Sequence, residues 1–355
     1  MSSSSKIFDL ESLVRPNILR LKPYRSARDD FKDGILLDAN ENPFESYTID
    51  GEHPLNRYPD PHYDAVRQAL AHWKKVRPSQ IFLGNGSDEA IDLLIRMTCI
   101  PGKDSILITS PTYGMYKVSA DIHDVNIIDV PLHPDFSLNT EEVIKASQNA
   151  KLVFLCSPNN PTANVLDKAS ILSILQHAPG IVGVDEAYMD FSPNNSLLSE
   201  LDAWPNLVVM QTFSKAIGLA GIRLGMAFAS EEIIKILMKI KPPYNVNALT
   251  QQEALRSLEN PSEIHQKILE ITENRTQLIN DLSRISGVEH IFPSDANFLL
   301  VRFEDALETY KKLASAGVIV RYRGDQLHCD GCLRITVGTE DENKMLIEKL
   351  EAIYS

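Results

Sequence analysis

Short apolar runs alternate with helical patterns from residue 79 onward, and this alternation most strongly limits how the chain can fold. The apolar runs are 81–83, 106–108, one that ends near 132, 152–156, 181–184, one that ends near 210, and 224–229. Continuous apolar runs of this length are typical of strands buried on both faces of a parallel sheet. The pattern therefore predicts an α/β fold in which a mainly parallel sheet lies between layers of helices.

A change of pattern after Pro242 and Pro243 predicts a second, smaller unit. A long charged helix is expected over 260–286, followed by strands at 297–301, 318–321 and 332–337 and by helices near 304–316 and 339–353. A chain of 355 residues is long enough for one large domain and one small one. We therefore predict a separate small α/β domain, with the boundary near residue 245.

Composition argues against several functional classes. The formal net charge of −13, without a basic patch, speaks against nucleic-acid binding. No apolar stretch approaches the roughly 18 residues that a membrane span needs. The Ser2–Ser5 run lacks the apolar core of a signal peptide, and the four cysteines fit a reducing compartment. We therefore expect a cytoplasmic protein with a frayed N-terminus.

Two motifs between residues 323 and 332 are best interpreted as turns. Cys329 and Cys332 have the spacing of zinc ligands, but the sequence offers no second pair to complete a tetrahedral site. Arg323-Gly324-Asp325 resembles an adhesion tripeptide, yet the chain shows no export signal. No metal is predicted.

Lys215 directly follows a predicted strand and is the first candidate for chemistry. It lies in the run Thr212-Phe213-Ser214-Lys215, and Arg223 follows eight residues later. The lysine amine can form a Schiff base with an aldehyde. The two hydroxyls and the guanidinium can hold a phosphate beside it. By itself the Ser-Lys dipeptide is weak evidence, because most lysines are solvated surface charges.

Asp185 ends the apolar run 181–184 and is the second candidate. The carboxyl end of a buried parallel strand faces the crevice in which open α/β sheets bind ligands. A carboxylate there can keep a ring nitrogen protonated, and Tyr188 can donate to a phenolic oxygen on the same ring. The alternative is an Asp that caps a following helix, which is the commoner use at a strand end.

Asn160 follows a third strand, 152–156, in the run Ser157-Pro158-Asn159-Asn160-Pro161-Thr162. Pro161 disfavours helical backbone at Asn160, so the amide can be fixed at the end of the strand. The alternative is an ordinary proline turn. Asn160, Asp185 and Lys215 thus follow three strands and offer three different contacts to one ring.

These motifs resemble those of the fold-type I pyridoxal-phosphate aminotransferases and, within them, the histidinol-phosphate aminotransferase family. The further matching segments are Lys22–Tyr24, Leu37–Pro43, Asn56–Asp60, Gly84–Glu89, Pro111–Tyr116, Ala220–Arg223 and Leu333–Gly338. The resemblance implies pyridoxal 5'-phosphate as cofactor and a homodimer. It also implies a large domain at 36–245 with a seven-stranded sheet, a small domain at 246–355, and an N-terminal segment, 1–35, that packs with the small domain.

One residue departs from the family pattern. Ala163 stands where the family usually has glycine after Pro-Thr. Its methyl group predicts that the backbone there does not need a positive φ.

The run Gly84–Glu89 leads from a strand into a helix. It lacks the third glycine of a dinucleotide fingerprint, so that interpretation is rejected. With Ser87 as N-cap, the free amides at the helix start would form an anion site. Asp88 and Glu89 would repel a phosphate unless they face away, so backbone amides are expected to bind it.

Two tyrosines take their roles from the resemblance. Tyr113 is expected to stack on the cofactor ring, although an aromatic residue that packs against the core at a helix entry is an equally common alternative. Tyr58 is expected to reach the cofactor phosphate of the neighbouring subunit.

Two arginines of the predicted small domain are candidates for binding substrate anions. Arg334 lies mid-strand between apolar residues, and Arg321 ends the run 318–320. A half-buried arginine needs an anionic partner; one such partner can be internal, but two arginines favour substrate anions. By resemblance, Arg334 takes the α-carboxylate of glutamate, whereas Arg321 and Tyr24 help to hold the phosphate of histidinol phosphate.

The resemblance implies amino transfer between histidinol phosphate or imidazole acetol phosphate and glutamate or 2-oxoglutarate, in histidine biosynthesis. Lys215 then moves a proton between the substrate carbon and the cofactor carbon. Rivals on the same fold are an aromatic amino-acid transaminase and a threonine-phosphate decarboxylase. A rival of another class is a non-catalytic ligand-binding protein, which the joint presence of Lys215 and Asp185 disfavours.

Overall fold

The computed structural model describes residues 8–30, 34–44 and 55–355 of the chain. The Ser2–Ser5 run, on which the expectation of a frayed N-terminus rests, lies outside them. The described residues form a seven-stranded sheet, a four-stranded sheet and twelve α-helices. No helix in this part of the chain is both long and apolar enough to cross a membrane.

The larger sheet consists of β1 (Ile81–Asn85), β2 (Ser105–Ile108), β3 (Asn126–Asp129), β4 (Leu152–Cys156), β5 (Ile181–Asp185), β6 (Leu207–Thr212) and β7 (Leu224–Ala229). The smaller sheet consists of β8 (Val288–Ile291), β9 (Phe298–Phe303), β10 (Arg321–Tyr322) and β11 (Cys332–Thr336). The helices are α1 (Leu10–Leu13), α2 (Pro16–Arg20), α3 (Asp64–Lys74), α4 (Ser87–Thr98), α5 (Met115–Ile122), α6 (Thr140–Ser147), α7 (Lys168–His177), α8 (Glu231–Ile240), α9 (Ala248–Leu258), α10 (Pro261–Leu282), α11 (Ala306–Ser315) and α12 (Glu340–Tyr354).

The larger sheet has the strand order β1-β7-β6-β5-β4-β2-β3. The strands from β6 to β3 run parallel, and β7 pairs antiparallel with both β1 and β6. The predicted seven-stranded, mainly parallel sheet is therefore confirmed. In β4, Val153 and Leu155 belong to one apolar layer, while Leu152 and Phe154 belong to the other. Burial on both faces explains why such strands are continuous apolar runs.

The smaller sheet is antiparallel, with the order β10-β11-β9-β8. The sequence pattern does not predict β8, because this edge strand is half-exposed and has no apolar run. Of the expected strand 318–321, only Arg321 pairs, together with Tyr322 beyond it. In the larger sheet, β3 ends at Asp129 rather than near 132, although the Val130 and Leu132 amides still donate to the Ile108 and Ser110 carbonyls.

The N-terminal segment packs differently from the expectation. Leu10 and Leu13 join the apolar layer that contains α4 and α8 of the larger sheet. Arg15 Nη1 donates to the Arg96 carbonyl at 3.1 Å, and Lys239 Nζ donates to the Leu19 carbonyl at 2.9 Å. Residues 8–20 therefore lie on helices of the larger sheet and not on the small domain, because their apolar side chains are buried there. The domain division at residue 245 stays a prediction.

Candidate active site

The loops after three neighbouring parallel strands meet at one edge of the larger sheet. β4, β5 and β6 are adjacent, so their carboxyl ends lie side by side, and Asn160, Tyr188 and Lys215 follow them. With the start of α4 these loops line a pocket with about 530 Å³ of empty space, part of which is open to solvent. Its lining is Gly86, Ser87, Asp88, Tyr113, Cys156, Asn160, Asp185, Ala187, Tyr188, Thr212, Ser214, Lys215 and Arg223. The sheet thus brings ten of the sequence-predicted site residues into one pocket.

Asp185 is a buried carboxylate at the floor of this pocket. Its Oδ2 accepts a hydrogen bond from the Tyr116 hydroxyl at 2.8 Å, and its Oδ1 accepts one from the Ala187 amide at 3.1 Å. Burial raises the pKa of Asp185 to about 6, and these two hydrogen bonds act against that rise. The group is held rigidly and favours a cationic partner, because ionisation in a buried site requires one. The sequence did not single out Tyr116, although its place three residues after Tyr113 was the available signal.

Lys215 supplies an amine to the same pocket. Its Nζ lies 5.4 Å from the centre of the Tyr188 ring. Burial lowers the pKa of the Lys215 amine, and the positive charge of Arg334 lowers it further. Within the described residues, no carboxylate lies at ion-pair distance from the Lys215 amine. In the same part of the chain, no cation lies at that distance from Asp185 either. At a given pH, more of such a lysine is present as the free amine than of a solvated lysine, so more of it can act as a nucleophile.

The start of α4 forms the end of the pocket that suits an anion. The N-cap is Gly86, with φ of 73°, and Ser87 is the first helical residue, so the prediction of Ser87 as N-cap was wrong by one position. A Cβ at Gly225 would lie 2.1 Å from the Ser87 amide nitrogen, so only glycine allows this close approach of β7 to the helix start. The first amides of the helix have no intrahelical acceptor and carry the positive end of its dipole. Arg223 lies beside Gly86 and adds a full positive charge.

Two hydroxyls at the end of β6 and just beyond it line the same end of the pocket. The Ser214 amide donates to Thr212 Oγ1 at 3.1 Å, which fixes the turn that leads to Lys215. The Thr212 hydroxyl itself lies within 3.0 Å of Ser214 Oγ. The predicted phosphate site is therefore lined by three kinds of group: helix-start amides, two hydroxyls and a guanidinium.

The two carboxylates of the first turn of α4 differ in direction. Glu89 turns away from the pocket and accepts hydrogen bonds from the Asn85 amide at 2.5 Å and from the Asn245 side chain. Asp88 does not face away as expected: it accepts from the Tyr113 hydroxyl at 3.0 Å and lies 3.8 Å from Arg223 Nη2. Its place between these two groups fixes the Tyr113 ring, and burial together with the Asp88 charge raises the pKa of that phenol.

The loop after β4 is held by Asn159 rather than by Asn160. Asn159 Nδ2 donates to the Pro111 carbonyl and to Thr162 Oγ1, both at 2.8 Å. This leaves the Asn160 amide at the pocket, where its Oδ1 accepts from Arg334 Nη1 at 2.6 Å. A side chain of the smaller sheet therefore closes onto a loop of the larger one.

Ala163 corrects one expectation drawn from the sequence. It adopts a φ of +68°, although its methyl group predicted otherwise. The Asn159 carbonyl accepts from the Ala163 amide at 2.8 Å, and the Asp295 amide donates to the Ala163 carbonyl at 2.8 Å. The residue is fully buried against Tyr188 and Phe298. Tertiary contacts thus impose a left-handed conformation that costs about 1–2 kcal/mol for a residue with a Cβ.

Tyr58 and Tyr24 lie outside this pocket. Tyr58 is half-exposed and stacks on Tyr244, with 4.6 Å between ring centres, beside the buried Glu41. Tyr24 is 70% exposed and lines another surface depression with His62. The fold of one chain therefore does not bring either tyrosine to Lys215.

Proteins with similar sequences and folds indicate the family of this chain. The chain matches the family described as aminotransferase class I and II over residues 32–350. It is 51% identical over 347 residues to a histidinol-phosphate aminotransferase of Cytophaga hutchinsonii. The aligned residues cover 97% of this chain and 99% of that protein. It is 47% identical over 352 residues to one of Flavobacterium johnsoniae, with 98% and 99% coverage.

Three solved structures share the fold. The histidinol-phosphate aminotransferase of Clostridium acetobutylicum has a TM-score of 0.79 at 25% identity and covers 84% of this chain and 91% of its own. That of Sinorhizobium meliloti, in complex with pyridoxal-5'-phosphate, has a TM-score of 0.77 at 25% identity, with 84% and 83% coverage. An L-threonine-O-3-phosphate decarboxylase of Porphyromonas gingivalis has a TM-score of 0.70 at 26% identity, with 84% and 91% coverage.

Fold, site and matches define the class of protein: a pyridoxal-phosphate-dependent transferase of fold type I. The chain belongs to the class I and II aminotransferase family, in which its relatives of about 50% identity are named histidinol-phosphate aminotransferases. The pocket fits pyridoxal phosphate, because it offers to one small ring an amine and a buried carboxylate, both without an ion pair within the described residues, together with a helix start suited to an anion.

Proposed function

We propose that this chain is a histidinol-phosphate aminotransferase, which transfers an amino group between histidinol phosphate or imidazole acetol phosphate and glutamate or 2-oxoglutarate in histidine biosynthesis. The observation that carries this proposal is the joint placement in one pocket of Lys215 and Asp185, neither of which has an ion-pair partner among the described residues. Relatives that are 44–51% identical over nearly the whole chain carry this name.

The proposed residue roles follow from the pocket. When bound, pyridoxal phosphate supplies an electron sink for the electrons of the substrate's Cα–H bond. Asp185 keeps the ring nitrogen protonated, while Asn160 and Tyr188 bind the ring oxygen. Lys215 forms the covalent attachment and afterwards moves the proton between two carbons. Tyr113 stacks on the ring.

The phosphate of the cofactor is assigned to the helix start. The amides of Ser87 and Asp88, the hydroxyls of Thr212 and Ser214, and the Arg223 guanidinium surround it in this proposal. Because these groups belong to two different loops, the phosphate also ties β6 and β7 to α4.

An amine-donor panel with 2-oxoglutarate tests the activity. Histidinol phosphate, histidinol, phenylalanine and threonine phosphate are offered to the enzyme, and glutamate and carbon dioxide are both measured. Preference for histidinol phosphate with glutamate formation supports the proposal. The likeness to the Porphyromonas gingivalis decarboxylase makes decarboxylation the second candidate, and release of carbon dioxide from threonine phosphate would favour it. A protein that takes up no cofactor would indicate a non-catalytic binding role.

Substrate anions are assigned to the arginines of the smaller sheet. Arg334 is half-buried, its Nη1 is hydrogen-bonded to Asn160 and it interacts electrostatically with Tyr188, and these contacts with two residues of the pocket support the assignment. Arg321 lies directly opposite it on β10 and is exposed. We assign the α-carboxylate of glutamate to Arg334 and the substrate phosphate to Arg321. Tyr24 is proposed as a further contact to that phosphate, although the fold of a single chain does not bring Tyr24 to the pocket.

Replacement of each arginine by alanine should have a different effect on the substrates. Arg334→Ala should strongly weaken the binding of glutamate, because truncating one partner of a desolvated charge pair costs about 2–5 kcal/mol. Arg321→Ala should reduce kcat/KM for histidinol phosphate more than for histidinol, since only the former carries a phosphate. Steady-state kinetics with both donors and both variants give the comparison. Equal losses on both donors for Arg321→Ala would refute its phosphate assignment.

We also propose a homodimer in which Tyr58 reaches the cofactor phosphate of the partner subunit. Its distance from the chain's own pocket and its exposed ring support this role. Mixing Lys215→Ala with Tyr58→Phe under subunit exchange should raise activity above both parents, because one site per heterodimer then carries neither lesion. Light scattering and mass-resolved exchange verify the mixed dimer. Activity that stays at the parental level despite exchange would eliminate the shared site.

The cytoplasmic location remains a proposal. All four cysteines are free and buried, which is compatible with a reducing compartment.

A further inference from the structure

Arg323 lies on the same face of the β10–β11 ribbon as Arg321 and Arg334. Arg321 is paired with Arg334, and Tyr322 is paired with Leu333. The Arg323 amide donates to the Cys332 carbonyl at 2.9 Å, so the ladder continues one residue beyond β10. Side chains alternate between the two faces of a strand, and Tyr322 and Leu333 face the core of the smaller sheet. The three arginines therefore share the opposite face.

This face concentrates positive charge without a matching carboxylate. Within the described residues none of the three arginines forms an ion pair, and Arg323 Nε is buried without a hydrogen-bond acceptor. Burial lowers the pKa of Arg323, and the charges of Arg334 and Arg321 lower it further, with only Asp325 and Cys329 acting in the other direction. Like charges on facing strand positions are destabilising, and a buried donor left unsatisfied costs more. An anion bound on this face would remove both penalties.

The arginine face opens toward the pocket of Lys215. Arg334 Nη1 donates to Asn160 Oδ1 at 2.6 Å, and Asn160 lines that pocket. Burial raises the pKa of the Tyr188 hydroxyl, and the charges of both Arg334 and Arg323 act against this rise. Arg323 is thus within electrostatic reach of a residue in the pocket wall.

We propose that Arg323 is a third anion-binding residue of the substrate site, and that with Arg321 it binds the phosphate group of a phosphorylated amine substrate. The proposal rests on the proposed function for its choice of substrate. One guanidinium matches the two oxygens of a carboxylate, which Arg334 can satisfy alone. A phosphate dianion offers three oxygens and twice the charge, and it matches two further guanidinium groups. Arg323 therefore favours dianionic phosphates over neutral side chains.

Phosphate affinity and donor kinetics test the proposal on the same protein. The enzyme is saturated with pyridoxal phosphate so that the cofactor site is filled, and inorganic phosphate is titrated calorimetrically at mildly alkaline pH. Arg323→Gln should lower the affinity for phosphate by about tenfold to a hundredfold, because a charge-assisted hydrogen bond is lost. Arg323→Lys should lower it by less, since lysine keeps the charge and part of that interaction. Arg284→Gln removes a 76% exposed arginine and should change nothing.

The kinetic arm gives a signature that a merely structural role would not. KM for histidinol phosphate should rise in Arg323→Gln, whereas KM for histidinol and for glutamate stays near the wild-type value. Unchanged phosphate affinity, no phosphate binding by the wild type, or equal losses on phosphorylated and unphosphorylated donors would overturn the proposal. If the wild type does not use histidinol phosphate but Arg323→Gln still loses phosphate affinity, the proposed function fails and the Arg323 assignment stands.

Discussion

Replacing Lys215 by alanine should abolish multiple turnover while the protein still binds pyridoxal phosphate. The amine is proposed as both the covalent attachment and the proton carrier, and positioned proton transfer alone contributes about 10²–10⁴-fold. The groups assigned to the phosphate and the ring belong to other residues, at the start of α4, after β4 and β5, and at Thr212, Ser214 and Arg223, so they remain when only the Lys215 side chain is shortened. Bound cofactor is measured after gel filtration, and turnover is measured with glutamate.

Lys103→Ala is the matched control, because this lysine is exposed in the turn between α4 and β2, away from the pocket. It should keep wild-type activity and cofactor content. Substantial multiple turnover by Lys215→Ala would show that another residue carries the attachment. Loss of cofactor binding with the fold intact would instead show that the other pocket contacts are too weak to hold the ring.

Asp185→Asn should retain the fold and lose most of the catalytic rate. A neutral amide does not balance the charge of a protonated ring nitrogen, so the electron sink is weakened. The fold should tolerate the change, since the amide oxygen can still accept from the Ala187 amide and the Tyr116 hydroxyl can turn to accept from the new amino group. Burial raises the pKa of Asp185 to about 6, so in the apoprotein the ionised carboxylate costs stability as pH rises through that value. Above it, the variant's apoprotein should melt no lower than the wild type.

The adjacent Glu186 provides the control for this variant. It is equally buried, burial raises its pKa to about 7, and it accepts from Leu197, Ser196 and Gln211. Glu186→Gln keeps the bond from the Leu197 amide, and the unpartnered Gln211 Oε1 can accept from the new amide after a flip. Activity should therefore survive in Glu186→Gln. Normal activity in Asp185→Asn would place the ring nitrogen away from this carboxylate.

Local patterns were sufficient for the main elements and for most of the pocket. Apolar runs located β4, β5 and β6, and polar residues within a few positions of the end of each run marked Asn160, Asp185 and Lys215. This works because the carboxyl ends of adjacent parallel strands lie at one edge of a sheet, so sequence position after a strand predicts spatial proximity. The same argument places the helix-start amides, since the turn after β1 lies at that edge as well.

Residues whose role depends on a neighbour from a distant part of the chain were missed or misjudged. Ala163 takes a positive φ because Asn159 and Asp295 hold its backbone, and its own methyl group predicts the opposite. Asp88 faces the pocket because Tyr113 and Arg223 bind it, although helix-dipole reasoning turned it away.

Local sequence patterns predicted the α/β class, the parallel sheet, the order of the strand-end motifs and the chemistry of the side chains that follow them. These depend on periodicity and on positions within a few residues of a strand end. Three features became evident only in the folded chain: residues 8–20 pack on helices of the larger sheet, Arg334 contacts Asn160, 174 positions away, and Arg323 joins the arginine face. Such contacts depend on how separate elements pack and in which register strands pair, and neither is encoded in a local pattern.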